Sequence, residues 1–348
     1  MFSLKNNLHY LSNSHNMLRL LGILSRSRAF TGPLKITLDI TNKCDMACEM
    51  CWYHSGAISK KKPDQHISCD TFSALVKQLK TLQVNTILFT GEGEPLMHPD
   101  LFKLISIAGE QKINVELMTN AFYLDKTNIA KLIEKGVKKI LVSLHCADAE
   151  TFQRIRPSRN KKDFNTLLNN LFLIKSLKGK KRYPLLFLVN VISNLNYHNA
   201  AEMIALSQKL SADKLLFKPL LMTPELNKRL IPPESEQEEF VEKISSISSK
   251  IKIPNNIKSF LNFASGNKIP QKIQSQTKQK PCYLSWVQSV ITLEGEVLGC
   301  VYAEKKSLGN INKLSFKDIW YGEKYRTFRK GKSCPEECPG KTIYPLFL

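Results

Sequence analysis

Between residues 35 and 219 the chain repeats one pattern: a short apolar run, and after each of the first five a stretch with helical spacing. KITLDIT (35–41), NTILFT (85–90), NVELMT (114–119), KKILVSL (138–144), LLFLVNVI (185–192) and DKLLFKP (213–219) read as strands. They are apolar nearly throughout, as strands are when a parallel sheet buries both faces. Between them, Phe72, Leu75, Val76 and Leu79 share one helical face within 68–82, with Ser68 placed to cap its start. Further helices are expected over Asp100–Gln111, Lys126–Lys135 (closing at Gly136), Phe164–Leu177 and Asn199–Leu210. Serial βα units give either an open doubly wound sheet or a barrel, and six units are two short of a closed one. Either way, chemistry belongs at the C-terminal ends of the strands.

Outside this region the character changes. Residues 1–32 form a basic extension, and no acidic side chain occurs before Asp39. The run LRLLGIL (18–24) is short, is interrupted by Arg19 and lacks a cleavage pattern after it, which argues against a signal peptide. No run of eighteen apolar residues is present, so no membrane span is expected and the expected location is cytoplasmic. Residues 223–281, rich in Pro, Ser, Gln and Lys, read as a bridging segment with one helix at about 235–250. Residues 282–348 read as a small cysteine-rich unit. The net charge of +21 suits an acidic or phosphorylated partner, and equally a solvated lysine-rich surface. Basic residues are not interleaved with aromatics as in single-strand binders, so nucleic acid is not favoured.

Cysteine is the informative residue type. Nine are present, and three fall in TNKCDMACEMCWYH (41–54) with the spacing C-x3-C-x2-C, directly after the first strand. Three thiols lining a buried helix face do not fit the flanking Lys43, Asp45 and Glu49. Zinc with His54 as fourth ligand is one reading. An iron–sulfur cluster held by Cys44, Cys48 and Cys51, with one iron left open, is the other.

At this point the chain resembles the radical S-adenosylmethionine (radical SAM) superfamily, over about residues 33–220. The cysteine motif is joined by TGEGEP (90–95), similar to a GGEP-type motif with Glu92 in a glycine place. MTNAF (118–122), VSLH (142–145), RIRP (154–157) and VNVISN (189–194) resemble further motifs at later strand ends. The resemblance implies a partial (βα)6 TIM-like barrel at 33–222. It implies a [4Fe–4S] cluster and S-adenosylmethionine, cleaved by one electron to a 5′-deoxyadenosyl radical. Glu94 with the backbone at Gly91 and Gly93 would hold the methionine amino group. Asn120, Ser143, Arg156 and Asn190 would give further cofactor contacts, and Met50 would take the place of an aromatic near adenine. A flavodoxin or ferredoxin would donate the electron.

The C-terminal cysteines are Cys282 and Cys300, spaced C-x12-G-x4-C about a hairpin turn at Gly295, then Cys334 and Cys338 in CPEEC. This unit resembles the SPASM/Twitch extensions of radical SAM enzymes, which implies a second, auxiliary [4Fe–4S] cluster; a four-cysteine zinc site fits the same spacing. Cys69 and Cys146 read as packed, inert thiols. An auxiliary cluster suits loss of an electron from a substrate radical. The favoured expectation is oxidation or rearrangement of a small polar metabolite, such as a sugar or nucleotide sugar. Maturation of a ribosomally made peptide comes second and RNA modification third. A cluster or zinc scaffold is the non-enzyme alternative.

Overall fold

The computed structural model describes residues 14–56, 63–220, 229–264, 282–301 and 306–331. After helix α1 (Ser14–Leu24), six strands alternate with helices: β1 (Lys35–Asp39), β2 (Thr86–Thr90), β3 (Asn114–Thr119), β4 (Lys139–Ser143), β5 (Leu185–Ile192) and β6 (Lys214–Pro219). Each pairs in parallel with the next, in chain order, which makes the partial barrel. The outer layer is α2 (Cys69–Thr81), α3 (Leu101–Glu110), α4 (Lys126–Glu134), α5 (Ala149–Ile155), α6 (Asp163–Lys178) and α7 (Ala200–Lys209). Side-chain caps start three of them: Ser68 Oγ accepts from Thr71 N, Asp125 from Asn128 N and Asp148 from Thr151 N. In α2 the expected face, Phe72, Leu75, Val76 and Leu79, is fully packed. Each of those side chains contributes about 1.5–3 kcal/mol by burial.

The two sheet faces differ more than the apolar runs suggest. Helix-facing positions such as Ile36, Leu38, Ile87, Phe89, Ile140 and Val142 belong to the main core. The barrel interior holds one apolar layer, Leu88, Leu141, Val189 and Leu216, with Met118 and Phe187 against it. Polar groups lie beyond it at both ends. At the strand-start end, Glu116 is buried and pairs with Lys35 and with Lys139 (2.7 Å). Burial disfavours its charge, but the two ammonium groups outweigh that and hold its carboxyl below the usual range.

Two features depart from the expectations. Within the segment after β6, the described residues 229–264 form a structural layer: α8 (Glu234–Ser248) and α9 (Ile257–Ala264) put Phe240, Ile244, Ile257, Phe260 and Leu261 into the main core. It also covers the edge of β6, where Leu215 N donates to Pro254 O and the Asn256 amide bonds both backbone groups of Phe217. Then, past the helical turn α10 (Leu284–Val287), strand β7 (Gln288–Ile291) pairs in parallel with the free edge of β1. The expected hairpin follows, with Gly295 at φ +84° turning the chain into β8 (Glu296–Leu298), next to β9 (Gly309–Asn310). The C-terminal unit, with α11 (Phe316–Tyr321) and α12 (Glu323–Arg329), thus continues the barrel sheet. Among the described residues no helix is long and apolar enough to cross a membrane.

Candidate active site

The cysteine loop leaves the C-terminal end of β1 and is gripped on two sides. On one side lies the strip after β2: Gly93 N donates to Thr41 O (2.9 Å) and Glu94 N to Lys43 O (2.8 Å). On the other lies the segment after α5. Ala47 N donates to Ser158 Oγ (3.0 Å), Glu49 N donates to Ile155 O (2.9 Å), and Asp45 pairs with Arg159. The Arg159 guanidinium lies 3.8 Å over the Phe122 ring, so one side chain joins the cysteine loop to the loop after β3.

Within this frame Cys44, Cys48 and Cys51 are free thiols. Burial pushes all three above the ordinary thiol range; Cys48 reaches about 11, against the opposing charge and hydrogen bond of Arg156. Cys51 Sγ accepts two backbone N–H groups, from Tyr53 (3.4 Å) and His54 (3.2 Å). Such donors favour sulfur carrying negative charge, the form that binds metal. Among the described residues no three Cys, His, Asp or Glu side chains gather as ligands of a single ion do. His54 Nε2 is buried without a hydrogen-bond partner. Three thiols in one loop, with donors that stabilise charge on sulfur, fit the ligand set of an iron–sulfur cluster.

Glu94 is the hinge between neighbouring motifs. Its Oε1 accepts from Leu96 N (3.1 Å) and Thr119 Oγ1 (2.7 Å), and its Oε2 from Asn120 N (2.7 Å). Burial pushes this carboxyl up to about 7 while the three donors pull it back. A carboxylate accepts about four hydrogen bonds, so one position is left for a bound amine. Asn120 extends the chain of contacts, since its Nδ2 donates to Asp45 Oδ1 (2.9 Å). Ala121, in a glycine place, holds φ +67° and is fully buried. Glu94→Gln sets an amide N–H₂ against existing donors. It is expected to cost about 2 kcal/mol of stability and at least about tenfold in S-adenosylmethionine affinity, checked by thermal melts and calorimetric titration.

The remaining predicted residues divide. Ser143 ends β4 on the barrel-facing side, in phase with Leu141. Asn190 does not face the barrel. It shares the helix-facing side of β5 with Leu188 and Ile192, is fully buried, and its Oδ1 accepts from His145 N (2.8 Å). Arg156, also buried, donates to the carbonyls of Ser143 (2.7 Å) and Leu144 (3.0 Å) and to Cys146 Sγ (3.7 Å). Through these bonds both brace the β4 turn, and each keeps a buried polar atom without a partner, Asn190 Nδ2 and Arg156 Nε. Met50 is half-buried and packs with Trp52 against Leu220 and Leu230. Gly91 holds φ +146° with its α-carbon side close to Asp39 and Thr41.

Sequence reasoning missed three groups. Tyr53 O–H donates to Glu92, so the residue that replaces a motif glycine is tied to an aromatic just past the third cysteine. His145 holds φ +64°, and its Nδ1 accepts from Val191 N (3.0 Å). That bond leaves the ring proton on Nε2, and burial holds the imidazole neutral. Lys218 lies near the end of β6, on the barrel-facing side with Leu216. Of the cysteines expected to hold an auxiliary cluster, Cys282 is half-buried and Cys300 buried, two residues past β8. Cys334 and Cys338 lie outside the described residues.

A family model of the radical SAM superfamily matches residues 38–206, and one of the SPASM iron–sulfur cluster-binding domain matches residues 282–340. The chain belongs to the radical SAM superfamily and carries a C-terminal SPASM domain. The cofactors of these domains are a [4Fe–4S] cluster, an auxiliary cluster and S-adenosylmethionine.

Among curated relatives, the chain is 22% identical over 315 residues to a PqqA peptide cyclase of Gluconobacter oxydans, covering 88% of this chain and 82% of the relative. It is 24% identical over 192 residues to a PqqA peptide cyclase of Bradyrhizobium diazoefficiens, covering 55% of this chain and 47% of the relative, about half the latter's length. In fold it is similar to Streptococcus suis SuiB bound to the precursor peptide SuiA, with TM-score 0.68 and 15% identity over 95% of this chain and 74% of SuiB.

Proposed function

We propose that this enzyme modifies a peptide substrate by radical chemistry. The observation that carries the reading is the similarity to a PqqA peptide cyclase along 88% of the chain, through both the barrel and the C-terminal domain. The fold likeness to SuiB adds support, since that structure holds its precursor peptide. The small polar metabolite favoured from the sequence gives way to this reading: it rested on an auxiliary cluster taking an electron from a substrate radical, and that chemistry suits a peptide side chain equally.

When bound, the cluster and S-adenosylmethionine supply one-electron cleavage of the sulfonium and removal of a hydrogen atom from the substrate. The chain's own residues do the holding. Cys44, Cys48 and Cys51 would ligate the cluster, and Glu94 would accept from the cofactor amine with its remaining lone pair. Ser143 and the Nε2–H of His145 offer polar groups at the barrel mouth. Asn190 and Arg156 keep the turn that carries them in shape. Cys282 and Cys300, with Cys334 and Cys338, would ligate the auxiliary cluster, whose chemistry when bound would be to take up an electron. A flavodoxin or ferredoxin donates the electron that starts each cycle.

The test is anaerobic. Reconstituted full-length protein is incubated with S-adenosylmethionine, dithionite and short peptides translated from reading frames flanking its gene. The expected result is a peptide that loses hydrogen atoms by mass spectrometry, in step with 5′-deoxyadenosine release. Release stimulated by nucleotide sugars and by none of the peptides would overturn the reading.

A further inference from the structure

Helix α1 is docked with its polar side inward. Arg19 and Gly22 are buried, whereas Met17, Leu20, Leu21 and Leu24 are 47%, 40%, 47% and 68% exposed. These four stand at i, i+3, i+4 and i+7, a single apolar stripe. Half of the large apolar side chains exposed among the described residues lie between Met17 and Phe30, so this is a patch rather than scatter.

The helix cannot roll to hide the stripe. Gly22 sits where a β-carbon would be 3.1 Å from both Trp286 Cδ1 and Arg28 O. The Trp286 indole N–H donates to Arg28 O (2.8 Å), and Ser25 Oγ donates to Gly22 O (2.6 Å) and accepts from Arg28 N (2.9 Å). These bonds fold the chain back beside the helix and leave Arg26 and Arg28 exposed. No acidic residue occurs before Asp39. Helical turn α10, on which α1 packs, also touches α12, where Lys324 and Arg326 are exposed, as is Lys330 just beyond; the one acid there, Glu323, is paired with Arg326.

We propose that α1 seats this enzyme on an anionic membrane surface. The stripe enters the boundary between headgroups and acyl chains, and Arg26 and Arg28 meet lipid phosphates. Eleven residues make a helix of about 16 Å, too short to span a bilayer and suited to lying in its plane. A second copy is the poorer occupant. Four partly exposed side chains fall well short of the roughly 800 Å² per partner of a stable interface, and pairing would bring like charges together.

The full-length, cluster-loaded protein is to be floated with vesicles of phosphatidylcholine alone and of phosphatidylcholine with one-third phosphatidylglycerol. Binding is expected to be at least about tenfold greater on the anionic vesicles. It should fall at least about tenfold in a Leu20→Glu/Leu24→Glu variant and weaken, with a shallower salt dependence, in Arg26→Gln/Arg28→Gln. Substrate-free release of 5′-deoxyadenosine should match wild type in both variants, which shows that they are folded. Equal binding to the two vesicle types, or undiminished binding by the glutamate variant, overturns the proposal. So does a wild-type dimer in light scattering that becomes monomeric in that variant, since the stripe would then belong to a second copy.

Discussion

A variant carrying alanine at Cys44, Cys48 and Cys51 is expected to lose cleavage of S-adenosylmethionine altogether while remaining folded. The two halves of that expectation rest on different bonds. Activity depends on sulfur, because these three thiols are the proposed ligands of the cluster that the radical SAM domain requires. The fold of the loop does not. Its shape is set by Gly93 N on Thr41 O, Glu94 N on Lys43 O, Ala47 N on Ser158 Oγ, Glu49 N on Ile155 O and the Asp45–Arg159 pair. The main local loss is at Cys51, where removing sulfur strands the N–H groups of Tyr53 and His54, at a cost of about 1–2 kcal/mol. Iron per chain should fall by about four, with the auxiliary share retained, and 5′-deoxyadenosine release should drop by at least about 10³-fold. A variant that still cleaved the cofactor at the wild-type rate would remove the cysteine loop from the chemistry.

The parts legible in the sequence were those with local causes. All six strands are where the apolar runs place them, because parallel strands packed under helices need continuous apolar sequence. The turn at Gly295 was legible because a positive φ favours glycine. What stayed hidden depends on long-range pairing or on side-chain direction. QSVI at 288–291 is too short to stand out, and its role comes from pairing with β1, some 250 residues earlier. The side of β5 on which Asn190 lies was not legible. In LLFLVNVI nothing marks which residues face the barrel, and the odd–even phase decides whether an amide meets a cofactor or a backbone turn. The segment after β6 looked like a bridge by composition, yet its few apolar residues fall on faces that close the core. Arg156 and Arg159 lie three apart in RIRPSR and do different work: one braces the β4 turn, the other clamps the cysteine loop.

A substitution of one methyl group should be nearly as damaging as loss of the thiols. Gly93→Ala would place a β-carbon 2.3 Å from Lys43 O, 2.6 Å from Asn42 C and 2.7 Å from Lys43 N. All three are backbone atoms, so no side chain can swing aside. Neither strand of the contact can slide, because Gly93 and Glu94 each donate a hydrogen bond across it. The cysteine loop has to move off, one residue before Cys44. Overpacking of this kind costs about 1–3 kcal/mol, and breaking the two bonds adds about 1 kcal/mol each. The displacement also drags Glu94 away from Thr119 and Asn120, so the proposed cluster ligands and the proposed amine-binding carboxylate lose register together. The expected result is a lower melting temperature, reduced iron retention and S-adenosylmethionine binding weakened by at least about tenfold. Gly109→Ala is the matched control: Gly109 is exposed in α3, has nothing within 4 Å of the added carbon, and should gain about 0.5–1 kcal/mol from helix propensity. The same chemical change thus carries opposite signs at two sites of one chain. If Gly93→Ala instead melted and bound cofactor like wild type, the close approach of the two loops would not be what positions the cluster.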